Sequence, residues 1–250
     1  MFLQSYVGPV CTFIINQNSE AEIQRLFGTA FFINSKGAFM TAAHVLRQAI
    51  QQAEEGGLTV GIIAKGEGGK SPKSVFAAVS AYSYAPKPHD VAIGQSAYSG
   101  ERYFVCEDIR GVTAPWLDVY TFGYPLDAAN GKLYNLRCHK GYIQRLTRPG
   151  DVLGDHPDGF ELSFAPSRGL SGAPLVVEYH GKQAVIGVCV SSIASETVDY
   201  SDLYINDDGK EYRELAKRVT EYGFAHAILP LLDWKPASFS GLTVNEIFTN

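Results

Sequence analysis

The chain has 250 residues, a formal net charge of −5 and a pI near 5.7, with 46% hydrophobic and 19% charged residues. These are ordinary globular values, and a chain of this length buries roughly 70–75% of its unfolded surface without help from metals or disulfides. No cluster of Lys and Arg offers a nucleic-acid groove, and no apolar run approaches the roughly 18 residues that cross a bilayer.

The first twenty residues have neither a basic start nor a long apolar core, so they make a poor export signal. Short β-prone runs follow at 10–16, 29–33, 38–42, 75–79 and 91–94. Asn34-Ser35-Lys36-Gly37 reads as a hairpin turn between the second and third of these. A helix is predicted over 43–55, stopped by Gly56-Gly57. Residues 66–72 (GEGGKSP) read as a surface loop. Gly69-Lys70-Ser71 is no phosphate loop, because Ala64 stands where that motif requires glycine.

The segment 106–115 (CEDIRGVTAP) reads as a linker between an N-terminal unit, 1–105, and a C-terminal unit, 116–250. Further strands are predicted at 119–122, 141–146, 160–164, 173–177 and 184–191, with a hairpin turn at His180-Gly181-Lys182. Residues 209–222 read as a helix. Leu215, Val219 and Tyr222 fall on one face at spacings of four and three, and Asp207-Asp208 supply an N-cap. Regular short strands with turn signals imply an all-β sandwich or a pair of barrels. Cys11, Cys106, Cys138 and Cys189 lie far apart among apolar or β-prone residues. They read as four buried, reduced thiols, which suits a cytoplasmic protein.

Three segments carry chemistry. An apolar strand ends in Thr41-Ala42-Ala43-His44. A second strand opens with His89-Asp90-Val91. A glycine-rich turn, Gly169-Leu170-Ser171-Gly172, precedes a third. Each alone is a common turn or cap; the order His, Asp, Ser at intervals of 46 and 81 residues is not. A serine hydroxyl is a weak nucleophile and requires a base, which His44 supplies. Asp90 fixes the tautomer of His44 and balances its charge. A glycine two residues before the serine lets the amides of Gly169 and Ser171 face an oxyanion. His139, His156, His180 and His226 show no metal-ligand spacing, and no cofactor is implied. His89 neighbours Asp90 on a strand and points the opposite way.

These motifs resemble the trypsin-like peptidase family, most of all its bacterial intracellular or HtrA-type branch without a PDZ domain. Further matches are Gly28-Thr29-Ala30-Phe31-Phe32-Ile33, Phe122-Gly123-Tyr124-Pro125, Val185-Ile186-Gly187-Val188 and Gly223-Phe224-Ala225. The resemblance implies two antiparallel six-stranded β-barrels of the chymotrypsin-like fold, His44 and Asp90 in the first and Ser171 in the second. It implies a serine endopeptidase acting on a polypeptide substrate. The specificity pocket then has Ala165 at its base and Ser191, Ser192 and Gly223 in its walls. With no acid at the base, the expected preference is a small or medium apolar P1 residue.

Leu170 replaces the acidic residue that secreted members carry before the serine, so activation by a new N-terminus is not expected. Residues 194–222 are longer than the family's loop and are expected to form a short helical insertion. That insertion is a surface decoration or a lid over the pocket, the latter implying latency until a protein partner moves it. Two other readings stand beside the enzyme. One is a catalytically inactive, protease-like peptide-binding module. The other is an esterase on an α/β fold, which expects Gly-x-Ser-x-Gly and the order Ser, Asp, His.

Overall fold

In a computed structural model, residues 3–65, 74–106, 113–126, 135–151, 156–205 and 207–249 are described. The surface loop expected at 66–72 and most of the linker expected at 106–115 lie outside them.

The strands are antiparallel and close into two barrels. The first joins β1 (Val7–Ile15), β2 (Ala21–Phe32), β3 (Ala38–Ala42), β4 (Thr59–Lys65), β5 (Ser74–Tyr84) and β6 (Val91–Ser96) in the order β1-β2-β3-β6-β5-β4. The second joins β7 (Asp118–Gly123), β8 (Arg137–Thr147), β9 (Gly159–Leu162), β10 (Pro174–Tyr179), β11 (Lys182–Ile205) and β12 (Glu211–Ala227) in the order β7-β8-β9-β12-β11-β10. Closure leaves the barrel portions of these strands no exposed edge. The helix expected at 43–55 is α1 (Ala43–Gly56), ended by Gly57 in the left-handed conformation at φ 62° with its N–H on the Ala53 carbonyl.

Both hairpin turns expected from sequence form. Asn34 Oδ1 accepts the amides of Lys36 and Ala38, each at 3.0 Å. His180 and Gly181, at φ 49° and 72°, join β10 to β11 in two residues.

The main core runs through both barrels. Phe31, Phe32 and Phe39 of the first share a cluster with Val176, Val188 and Phe224 of the second. Each such buried side chain contributes roughly 1.5–3 kcal/mol. After β12 the chain returns to the first barrel. Ser238 meets Ser83 at 2.9 Å, and Asn34 Nδ2 donates to the Ile247 carbonyl at 3.0 Å in α2 (Val244–Thr249). A capping box starts α2: Thr243 N–H donates to Glu246 at 2.7 Å, and Glu246 N–H donates to the Thr243 hydroxyl at 3.2 Å.

Two expectations are overturned. Residues 211–222 are strand, not helix: β11 and β12 pair from Cys189↔Ala225 to Ile205↔Glu211, beyond the barrel rim, with register shifts between Cys189 and Ser191 and between Val198 and Tyr200. Asp207 and Asp208, read as the N-cap, lie in the hairpin turn before Gly209, which has φ 75°. Ladder pairing with a β-branched partner strand outweighs the helix preference of GKEYRELAKRVTEY. The insertion is thus a two-stranded ribbon, and residues 197–205 and 211–221 are all exposed, so it rests on neither barrel as a lid would. Of the thiols, only Cys11 and Cys189 are buried; Cys106 is half-buried and Cys138 exposed on β8.

Candidate active site

Helix α1 begins directly from β3 with no capping side chain of its own, since Ala42 holds the N-cap position. Asp90 caps it from the start of β6. Its carbonyl accepts the Ala43 amide at 3.1 Å and its Oδ1 accepts the His44 amide at 2.9 Å. The positive end of the helix therefore faces the carboxylate. The same carboxylate holds the imidazole, with Oδ2 2.5 Å from His44 Nδ1. A carboxylate only accepts, so Nδ1 carries the proton and Nε2 is left as the base. Burial pushes the Asp90 carboxyl up, but the bonds from the His44 ring and amide outweigh it and hold the group below its ordinary 3.8.

Sequence reasoning gave His226 no role. It lies on β12, 2% exposed, and its Nδ1 accepts the Asp90 amide at 2.9 Å. That bond places its proton on Nε2, which is buried without a partner among the described residues. Burial lowers its pKa to about 4, only partly countered by the Asp90 charge. The rings of His89 and His156 stand 6.1 and 5.9 Å away. His89 precedes β6 rather than lying on it, and its Nδ1 is buried without a partner among the described residues. The only sequence signal for His226 was its place three residues after Gly223, on the expected last strand.

Ser171 follows a turn that the first barrel grips. Thr29 N–H donates to the Ser171 carbonyl at 2.9 Å, and the Thr29 hydroxyl donates to the Gly169 carbonyl at 2.9 Å while accepting the Tyr124 amide at 3.0 Å. Gly28 admits this approach, because a Cβ there would stand 2.7 Å from the Ser171 carbonyl oxygen. Gly172, at φ 87°, lies against the Thr29 carbonyl and the Thr41 hydroxyl, where no side chain fits. Gly169 has φ 100°. The Arg168 carbonyl accepts the Leu126 amide at 2.8 Å, which turns it away from the serine. The amides of Gly169 and Ser171 donate to no protein group among the described residues. The Ser171 hydroxyl donates to the Val190 carbonyl at 3.2 Å and not to His44. All three side chains, His44, Asp90 and Ser171, are half-buried and open to a ligand.

The expected pocket residues are brought together. Ser192 pairs with Gly223 and Ser191 with Phe224. The absence of a side chain at Gly223 lets the Phe164 carbonyl and the Pro166 ring, on either side of Ala165, lie against β12. Arg168 is exposed. Among the described residues no group of three or more His, Cys, Asp or Glu converges as a metal site. No helix there is long and apolar enough to cross a membrane.

Comparison with known proteins gives a consistent picture. The profile of the trypsin-like peptidase domain matches residues 28–188. No curated protein matches the chain by sequence. Among solved structures, an HtrA-type protease, AlgW, with a decapeptide superposes with a TM-score of 0.59 at 13% identity, over 91% of this chain and 62% of that one. The chain thus spans less than two thirds of that relative. The MamO protease domain from Magnetospirillum magneticum, in its apo form, gives 0.54 at 14% identity over 92% and 95%. A serine-to-alanine mutant of Rv3671c from M. tuberculosis H37Rv, in its inactive form, gives 0.51 at 19% identity over 99% and 89%. At these identities the likeness is one of fold.

Proposed function

The chain belongs to the trypsin-like peptidase family, and on that premise we propose that it is a serine endopeptidase working through His44, Asp90 and Ser171. The observation that carries this reading is the His44–Asp90 pair, bonded at 2.5 Å, together with a serine turn that packs against Thr41 and Ala42, which lead into His44, and whose amides donate to no protein group among the described residues.

In the proposed cycle the Ser171 hydroxyl leaves the Val190 carbonyl and gives its proton to His44 Nε2. Its oxygen then attacks the scissile carbonyl. The new imidazolium is balanced by Asp90, and the amides of Gly169 and Ser171 receive the oxyanion. His44 passes the proton to the leaving amine, which departs with the downstream peptide. Water, deprotonated by His44, then releases the upstream peptide from Ser171. Ala165, Ser191, Ser192 and Gly223 border the P1 side chain, and their small size suits a small or medium apolar residue.

The serine's bond to Val190 is the resting arrangement, and latency in this reading is the population of that rotamer, which a protein partner at the cleft would shift. The free thiols suit a reducing compartment such as the cytoplasm.

A fluorophosphonate probe tests the proposal. Wild-type protein is expected to label at Ser171 and Ser171→Ala is expected not to. Folded wild type that stays unlabelled would turn the reading toward a peptide-binding module.

A further inference from the structure

Resting on the peptidase reading, we infer that the ribbon is a rail for the substrate chain upstream of the scissile bond, which docks as a third strand on the open edge of β11. β11 is paired on both sides only near the barrel. Its last contacts on the β10 side are Pro174↔Val188, Cys189 N–H to the Ala173 carbonyl at 2.9 Å, and Gly172 N–H to the Cys189 carbonyl at 2.7 Å. From Ser191 to Ile205 its one partner strand among the described residues is β12. An antiparallel ladder uses the N–H and C=O of alternate residues, so on each side of the register shift between Val198 and Tyr200 the other residues present theirs on the free side.

That row of donors and acceptors begins at the nucleophile. Val190, whose carbonyl holds the Ser171 hydroxyl at 3.2 Å, is the residue at which the edge opens. From there β11 runs away from the site for on the order of 45 Å. A chain pairing antiparallel to it, as the neighbouring strands do, runs inward and reaches Ser171 with its C-terminal end. Its upstream residues lie along the ribbon.

The ribbon is built to receive such a strand. Two strands alone are marginal in water, and three with an apolar face are stable. Cross-strand register puts Val198, Leu203, Ile205, Leu215 and Val219 on one face, between 46% and 67% exposed. Tyr200, Tyr204 and Tyr212 share the other. An added strand extends both faces. Residues 183–209 hold no Lys or Arg but contain Glu196, Asp199, Asp202, Asp207 and Asp208. Asp199 is paired with Arg218 at 3.0 Å on β12. The occupant that fits is therefore an extended, unfolded segment with apolar residues at alternate positions and a neutral or positive charge.

The test uses peptides sharing one scissile sequence, with upstream lengths from about three to about ten residues. Wild type is expected to gain about tenfold in kcat/KM across the series. A variant in which residues 196–219 are replaced by a short Gly-rich turn should match wild type on the shortest peptide and show no gain with length. Fluorophosphonate labelling checks that this variant keeps its fold. A scan of N-methyl groups along the longest peptide leaves the protein intact, and should cut the gain at every second upstream position.

A flat length series in wild type, equal gains in both proteins, or an N-methyl scan without period two would overturn the rail. So would a deletion that changes only the sedimenting mass, which would assign the ribbon to a second copy of the chain. If no peptide is cleaved at all, the peptidase reading fails. The rail is then read from the anisotropy of fluorescein-labelled peptides of the same lengths, where tighter binding of longer peptides to wild type, lost on deletion, upholds it and length-independent binding sinks it.

Discussion

The two barrels share one strand order, yet they use the same connection in opposite ways. In the first, β5 turns into β6 through residues 85–90, and the last of these is Asp90. In the second, the matching pair β11 and β12 runs far past the barrel before it turns. The short connection is braced: Asp90 meets the amides of Ala43 and His44, the imidazole of His44, and His226 from the other barrel. The long one pairs with no other strand among the described residues, and every side chain from 211 to 221 is exposed. A fixed topology thus supplies both a rigid anchor for one carboxylate and an open surface, depending only on where the chain reverses. Chemistry that depends on sub-ångström placement falls on the braced side.

The contrast is sharpest for turnover. Ser171→Ala is expected to lower peptide hydrolysis about 10⁴-fold or more with little loss of stability, whereas Leu203→Ala on the ribbon leaves cleavage of a short peptide unchanged. Steady-state kinetics on both variants would break the comparison if the second were as damaging as the first.

Stability should divide in the same way. Phe31→Ala, in the core that joins the barrels, is expected to cost about 3–5 kcal/mol, and Leu203→Ala within about 0.5 kcal/mol, both read from urea midpoints. Comparable losses would mean that the ribbon is packed in solution.

His226 makes the braced connection sensitive to acid. Its folded pKa is about 4 against an ordinary 6.5, so between these values the unfolded chain binds a proton that the folded chain refuses. The stability is whole above about pH 6.5 and drains as pH falls toward 4, by up to roughly 3 kcal/mol. His226→Asn keeps an acceptor for the Asp90 amide without titrating. Its urea midpoint should drop less than that of wild type between pH 7 and 4.5, leaving His89, also lowered by burial, as a smaller contributor. Equal drops would show that His226 is not held neutral.

The smallest effect concerns the grip between barrels. Thr29→Val removes the hydroxyl that joins the Gly169 carbonyl to the Tyr124 amide, at a cost of about 1–3 kcal/mol. With the Gly169 peptide less constrained, kcat should fall more than KM rises. A change in KM alone would argue that Thr29 matters only for binding.

What could be read in the sequence was whatever announces itself locally. His44 sits where a β-run passes into a helical one, and Asp90 and Ser171 sit beside turn residues, so each motif carries its own context. The strand β4 was missed because Gly61 interrupts TVGIIAK and no alternation marks it. The helix expected at 209–222 failed because Leu215 and Val219, four apart, share a face in a strand as readily as in a helix. What separates the two is a partner at 191–205, and pairing across a chain reversal leaves no trace in periodicity. His226 was invisible for a related reason: the amide it receives is 136 residues away. The exposed Cys138 likewise depends on which side of β8 faces water.

The return of the chain to the first barrel after β12 sets an order of events during synthesis. The strands of that barrel leave the ribosome first, but Val244, Ile247 and Phe248, which complete its cluster, and the Ile247 carbonyl that satisfies Asn34 follow only after the strands of the second barrel. Asp90 likewise waits for His226. The nascent chain therefore carries a finished nucleophile turn before it carries a finished base. On the peptidase reading, the serine turn is therefore made well before the segments that brace the carboxylate and complete the first barrel.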